Sequence, residues 1–313
     1  DDIKISHADA NVVSAMIDEL NKKYGEITPL SVTRRKVHGY VGLTLDFSQD
    51  KKCIVRMDDY IKETIVDAPS DISGIAVTPA AEHLFKVDEN AQKLSQTQAT
   101  IFHHFVAKCL FLTKCARPDI STAVAFLTTR VKGPDEQDWK KLIRLIRYLR
   151  GTVDIPLTLS ADMTTIPKWW VDGSHGVHPN MKGHTGGCLS LGDGMAINVS
   201  SKQKLNTRSS TETELVAADD LMPVILWTSY FLEAQGYKAS NTILYQDNQS
   251  AILLESNGRK SSGKRTKHIK MRYYFITDRI RKKELSVSYC PTQLMVADYF
   301  TKPLQGALFI KFR

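Results

Sequence analysis

The stretch "KWWVDGSHG", residues 168–176, joins two opposed local preferences. Trp169, Trp170 and Val171 favour a pleated, half-buried strand, whereas Gly173 and Ser174 are turn residues that end one. Asp172 therefore stands where a strand leaves a core. A carboxylate there either opens the turn by bonding the backbone ahead of it, or serves chemistry that needs other carboxylates beside it. The strand signal repeats in "GGCLSL" and "MAINVSS", separated by turns such as Gly192-Asp193-Gly194, which predicts an antiparallel meander. Then come a helix from about Ser210, a strand "TILYQ", a helix "NQSAILLES", a basic helical stretch, a strand "LSVSYC" and a last helix from about Thr292. Strands that follow the first helix arrive by crossovers, so the order βββαβααβα reads as a mixed α/β sheet of five strands with helices on its faces.

Upstream, alternation in "HGYVGLTLDFS" (38–48) argues a strand, and "KCIVRM" a second one after the polar loop "SQDKK". From Leu94 to Arg150 the pattern turns helical, punctuated by Pro118 and by Gly133-Pro134. In the last of these helices Trp139, Leu142, Ile143, Ile146 and Leu149 form the apolar stripe. Lys140, Lys141, Arg144, Arg147 and Arg150 occupy the other face. The chain divides into two units, a mainly helical one over 1–155 and an α/β one over 156–313.

A chain of 313 residues, 42% of them hydrophobic, can fill cores of ordinary size. Its longest apolar runs, such as "LMPVILW", are short of a membrane span, and no secretory leader is visible. "DDIKISHADA" reads as a cut through a larger polypeptide. Five cysteines without a C-x-x-C pair argue against a disulfide scaffold or a zinc ribbon and fit a reducing, intracellular setting. The net charge of +8 is concentrated in Arg259 to Lys283, which holds eleven Lys and Arg and one acid, Asp278. Interleaved with Tyr273, Tyr274 and Phe275, that run is expected to face a polyanion.

Four acids stand out. Glu214 shares a helical stripe with Ala217, Ala218, Leu221 and Ile225, which turns it inward, and a buried carboxylate needs a metal or a cation beside it. Glu212, two residues earlier, falls off that stripe. Asp247 lies between a strand and a helix, where it either caps the helix or joins a site. Asp298, in "LMVADYFTKPL", is placed on the last helix with Leu294 and Thr301 at i−4 and i+3.

Asp at the end of the first strand, Glu on the first helix, Asp after the fourth strand and Asp near the end resemble the ribonuclease H domain. "VDGS", "TEL", "DNQSA" and "AD" match its four acidic motifs, which puts Asp172, Glu214, Asp247 and Asp298 in catalytic, metal-holding positions. "RPDISTAVAFL", "IRYLRGT", "SSTETELVAA", "KRTKHI" and "ADYFTKPL" further resemble the C-terminal part of a Ty1/copia-type retrotransposon Pol polyprotein. The resemblance implies hydrolysis of the RNA strand of RNA–DNA hybrids with two Mg²⁺ ions, for which Mn²⁺ can substitute. Asp172 would be shared by both ions, with Glu214 and Asp247 on one and Asp298 on the other. Lys264, Arg265, Lys267, His268, Lys270 and Arg272 would contact the nucleic acid. Asp1 and Asp2 would be the end of the reverse transcriptase Tyr-x-Asp-Asp box, followed by a primer-grip-like hairpin around Gly39 to Phe47 and a helical thumb and tether. Fingers and the other palm aspartate would belong to upstream sequence, so polymerisation by this chain alone is not expected. The family's setting is cytoplasmic virus-like particles and the nucleus.

The sequence also departs from the family. The loop before the last Asp, "YCPTQLMVAD", lacks the His often found there; Lys270 stands where Asp is usual, and Tyr274 where His is. His268 matches a motif described as structural. His175, His178 and His184 lack a Cys or acid partner at ligand spacing and read as a solvated, glycine-containing loop. The rival to an enzyme is a non-catalytic nucleic-acid-binding remnant of a decayed element.

Overall fold

A computed structural model describes residues 2–69, 72–237, 241–258 and 270–313. The N-terminal half holds α1 (Ala10–Tyr24), β1 (Val37–Tyr40), β2 (Leu43–Asp46), β3 (Lys52–Arg56), α2 (Asp58–Val66), α3 (Gln96–Cys115), α4 (Ser121–Thr128) and α5 (Glu136–Arg150). The alternating run 38–48 is two strands rather than one. Val41 and Gly42 both take left-handed backbone (φ 48° and 76°), the turn that lets β1 fold back on β2. Ser95 with Gln98, and Asp135 with Asp138, form reciprocal capping boxes that start α3 and α5.

The strand β4 (Leu157–Ser160) pairs antiparallel with β3, completing a four-stranded sheet in the order β1-β2-β3-β4. Residues 157–160, which the expected boundary at 155/156 assigns to the second unit, are thus hydrogen-bonded into the first sheet. Three further strands, β5 (Lys168–Ser174), β6 (His184–Ser190) and β7 (Ile197–Lys202), form the antiparallel meander. After α6 (Ser210–Ala234), β8 (Thr242–Gln246) joins β5 in parallel. After α7 (Gln249–Asn257) and α8 (Lys270–Arg281), β9 (Leu285–Tyr289) joins β8 in parallel. The resulting order, β7-β6-β5-β8-β9, with one antiparallel half and one parallel half, is the mixed five-stranded sheet of a ribonuclease H-like fold. The last helix expected from Thr292 is instead two 3-10 turns, Thr292–Leu294 and Val296–Phe300, before a short α9 (Gly306–Phe312).

The two faces of β5 are covered by different partners. Trp169 and Val171 pack with Ala217, Ala218, Leu221 and Ile225 of α6, whereas Trp170 turns the other way and stacks on Tyr245 at 5.1 Å. Among the described residues α6 is the one helix long and apolar enough to cross a membrane, and over half of its apolar window is buried within the fold. The opposite face meets the N-terminal helices. Cys188, Tyr299, Phe300 and Phe309 belong to the same core as Phe102, Phe105, Val124 and Leu149. Asn198 of β7 accepts a hydrogen bond from Ser121 (2.9 Å) and donates one to the Thr113 carbonyl (3.0 Å), and the Thr122 hydroxyl donates to the Tyr299 carbonyl (2.8 Å).

Glu255 on α7 is fully buried, and among the described residues neither of its carboxyl oxygens has a hydrogen-bond partner. Burial pushes its carboxyl up to about 8, with Gln246 offsetting only part. Its folded-state affinity for a proton exceeds the unfolded one, so this stability is fully present below the usual glutamate value of 4.5 and is lost as pH rises through about 8. Glu255→Gln, neutral throughout, should flatten the decline of Tm with pH across that window. A decline as steep as in the parent chain would show that Glu255 is not its source.

Candidate active site

Asp172, Glu214 and Asp247 come together although they lie on three separate elements, and their carboxylate oxygens lie within 4.8 Å of one another. Asp172, near the end of β5, is 2% exposed. It points away from α6, and Glu214 reaches it around the strand end. A Cβ on Gly173 would stand 2.7 Å from the Thr213 carbonyl oxygen and 3.1 Å from the Glu214 amide nitrogen. Only glycine lets the first turn of α6 approach so closely. At that contact the Gly173 N–H donates to Glu214 Oε2 at 3.0 Å, which orients the carboxylate. Glu212 faces elsewhere, accepting from the Arg208 N–H at 2.7 Å at the helix start.

Asp247 is not the helix cap. Asn248 takes that role, its side chain accepting from the Ala251 N–H at 3.1 Å. Asp247 is left to accept from the Thr292 hydroxyl at 3.0 Å. Asp298 sits in the 3-10 turn Val296–Phe300, which presses on β6 because Gly186 has no side chain; a Cβ there would come within 2.9 Å of the Phe300 backbone. Asp298 lies outside the three-carboxylate group but is tied to it through Lys302. The Lys302 ammonium is 2.5 Å from Asp298 Oδ1 and 3.7 Å from Asp172 Oδ2, and the Thr301 hydroxyl donates to the same Asp172 oxygen.

The electrostatics follow from this crowding. Burial raises Asp172, with Asp247 adding to the rise. Burial and the negative charges of Asp172 and Asp247 push Glu214 well above the ordinary range. Asp298 is pushed up to about 6 by burial and by Asp172. Burial pulls the Lys302 ammonium down, but Asp172 and Asp298 more than offset it. Four carboxylates facing one lysine are under-neutralised, and hard oxygen donors in this number suit a divalent cation such as Mg²⁺. The sequence reading places Thr301 only as a helical neighbour of Asp298 and gives Lys302 no role. The signal was present in "ADYFTK", where Lys302 follows Asp298 at i+4.

The other expected site residues are placed differently. Asp2 accepts from the Val41 N–H at 3.1 Å, far along the chain from the carboxylates, and Asp1 lies outside the described residues. Lys264, Arg265, Lys267 and His268 also lie outside them, while Lys270 and Arg272 are at the start of α8. Further along α8 the basic charge is partly spent internally, with Arg279 and Lys282 paired to Asp278 and Arg279 also to Glu284. Contrary to the expected solvated loop, His178 and His184 are buried, stacked at 5.2 Å and joined Nε2 to Nδ1 at 3.0 Å. Phe85 packs against both rings, and burial lowers them to about 4 and about 3. His175 alone is exposed, bonded to Thr213 at 2.9 Å.

No family model matches the chain. Individual relatives do: the retrovirus-related Pol polyprotein of transposon TNT 1-94 from Nicotiana tabacum is 30% identical over 197 residues, which is 63% of this chain and 15% of the relative. The Ty1-MR1 Gag-Pol polyprotein of Saccharomyces cerevisiae is 23% identical over 320 residues, 97% of this chain and 18% of the relative. The homologues of this chain are Ty1/copia-type Pol polyproteins. The chain spans about one seventh of the length of the Pol relatives from tobacco and Arabidopsis thaliana. In three dimensions it is similar to a foamy viral protease-reverse transcriptase solved with an RNA/DNA hybrid, with a TM-score of 0.52 at 11% identity over 92% of this chain and 34% of that one. At that identity the likeness is one of fold, and it extends across both halves.

Proposed function

We propose that this chain is the ribonuclease H of a Ty1/copia-type Pol polyprotein, a metal-dependent endonuclease that hydrolyses the RNA strand of RNA–DNA hybrids. The observation that carries the reading is the convergence of Asp172, Glu214 and Asp247 from a strand end, a helix and a strand–helix junction onto one spot, with ligand atoms within 4.8 Å. Two Mg²⁺ ions, or Mn²⁺, would be held by Asp172, Glu214, Asp247 and Asp298. When bound, such ions lower the pKa of a water and stabilise the leaving oxygen of an in-line displacement. The chain's own groups prepare that site: the Gly173 N–H fixes Glu214, Thr292 fixes Asp247, and Thr301 holds Asp172. Lys302 offsets part of the negative charge and its ammonium stands ready to meet phosphate. The 2′-hydroxyl and groove width of the hybrid would distinguish it from DNA. The basic segment 259–283 would add phosphate contacts.

The test is cleavage of an end-labelled RNA–DNA hybrid by the purified chain. Cleavage is expected with Mg²⁺ or Mn²⁺ and none with EDTA. Binding of the hybrid without any metal-dependent cleavage would instead support the non-catalytic remnant.

A further inference from the structure

On the outer side of α5, residues 75–86 lie as a strap over the helix, and a groove of about 520 Å³ opens between them. Its cationic lining is Lys140, Lys141, Arg144 and Arg147, and among the described residues no Asp or Glu lines it. Two of the four are occupied. Lys141 donates to the Lys86 carbonyl at 2.6 Å, and Arg144 donates to the Thr78 carbonyl at 3.2 Å and to its hydroxyl at 2.8 Å. The other two are not. Among the described residues Lys140, which is exposed, makes no ion pair or hydrogen bond, and the Arg147 Nε is buried without an acceptor. A buried guanidinium donor left open in a groove without acids asks for an anionic acceptor.

We infer that this groove is a docking surface for the phosphate backbone of a nucleic acid duplex, gripped by Lys140 and Arg147 with Arg144 between them. The inference rests on the reading above, in which the chain acts on such a duplex. Residues 140, 144 and 147 share one helical row about 10 Å long. One strand of a duplex climbs about 3.4 Å of axis per phosphate while winding round it, so a straight row of this length meets more than one phosphate. A small anion would occupy only one end of it. The groove is also fastened to the acidic site. Gln305, three residues beyond Lys302, donates to the Ala80 carbonyl at 2.9 Å and accepts from the Thr78 hydroxyl at 3.0 Å. A backbone lying on α5 is thereby held in register with the carboxylates.

The experiment measures binding of a fluorescein-labelled RNA–DNA hybrid in EDTA across a series of salt concentrations, using the full chain. Lys140→Ala should lower the slope of log K against log[salt] by about 0.7 to 0.9, and Lys140→Ala with Arg147→Ala by about 1.4 to 1.8. Slopes equal to the parent's in both overturn the inference. If the double variant loses its circular dichroism signal, the exposed Lys140 single variant decides alone. Inorganic pyrophosphate should compete equally against parent and variants. Competition that vanishes with the two cations, while the hybrid slope stays unchanged, overturns the duplex and assigns the groove to a small phosphorylated ligand. Cleavage reports separately: a lowered slope on a hybrid that is never cut keeps this inference and sinks the nuclease, and a cut hybrid with an unchanged slope does the reverse.

Discussion

Asp172→Asn is expected to lower the proposed hybrid cleavage by about 10³-fold or more and to leave the fold intact. The amide keeps the volume of the carboxylate and its contact with Thr301 but withdraws one negative charge from the group that would hold metal. Loss of several kcal/mol of metal-borne stabilisation corresponds to a thousandfold fall or more, at about 1.4 kcal/mol per decade. Because burial, with Asp247 adding to it, disfavours the Asp172 charge by more than Lys302 and Thr301 offset, the metal-free variant should melt no lower than the parent. Its Tm should also cease to rise on adding Mg²⁺. Glu214→Gln and Asp247→Asn should behave alike. Glu212→Gln should cleave at the parent rate, since its side chain serves the start of α6 and can still accept from Arg208. Inactivation by Glu212→Gln together with normal cleavage by Glu214→Gln would exchange the two roles and overturn the assignment.

The second large effect is on stability. Arg117 is 1% exposed and binds Asp119 through two parallel hydrogen bonds of 2.9 and 2.7 Å, while also donating to the carbonyl and hydroxyl of Thr152. The Tyr148 hydroxyl donates to the same Asp119 carboxylate at 2.7 Å. Arg117→Met leaves Asp119 buried and unpaired, which costs about 3 to 5 kcal/mol, and Tm should drop by roughly 10 °C. Arg117→Lys should recover little, because an ammonium cannot reproduce the two-pronged contact. Removing both charges, in Arg117→Met with Asp119→Leu, should recover most of the loss. A single variant within about 1 kcal/mol of the parent in urea unfolding would show that the pair is solvated in solution.

The meander β5-β6-β7 and the inward face of α6 could be read from residue order, because alternation and the 3.6-residue stripe report local burial directly. Glu214 was legible for the same reason: it sits on a stripe of alanines and leucines. The placement of Asp247 is not legible, since Asp and Asn both cap helices and nothing local says that Asn248 does so instead. The segment carrying Asp298 reads as a helix in the sequence but forms a 3-10 turn, because its apolar residues pack against β6 and α9 rather than along one helical face. The histidine pair was misread because Phe85, which buries it, lies about a hundred residues earlier. Lys302 escaped for a related reason: its meaning depends on Asp172, brought to it only by the fold. The face of α5 carrying Lys140 and Arg147 reads from the sequence as the cationic side opposite the apolar stripe, and its groove does not show there because the strap, too, comes from a distant segment.

The shared core between the N-terminal helices and the five-stranded sheet has a mechanical consequence. With Cys188, Tyr299 and Phe300 packed among Phe105 and Val124, and with Thr122 bonded to Tyr299, the sheet that carries the carboxylates and the helices α3 and α4 share one core. Whatever those helices hold travels at a constant offset from the acidic site, so the fold acts as a ruler. An exchange between related elements that preserves this offset must transplant the helices and the sheet as one block.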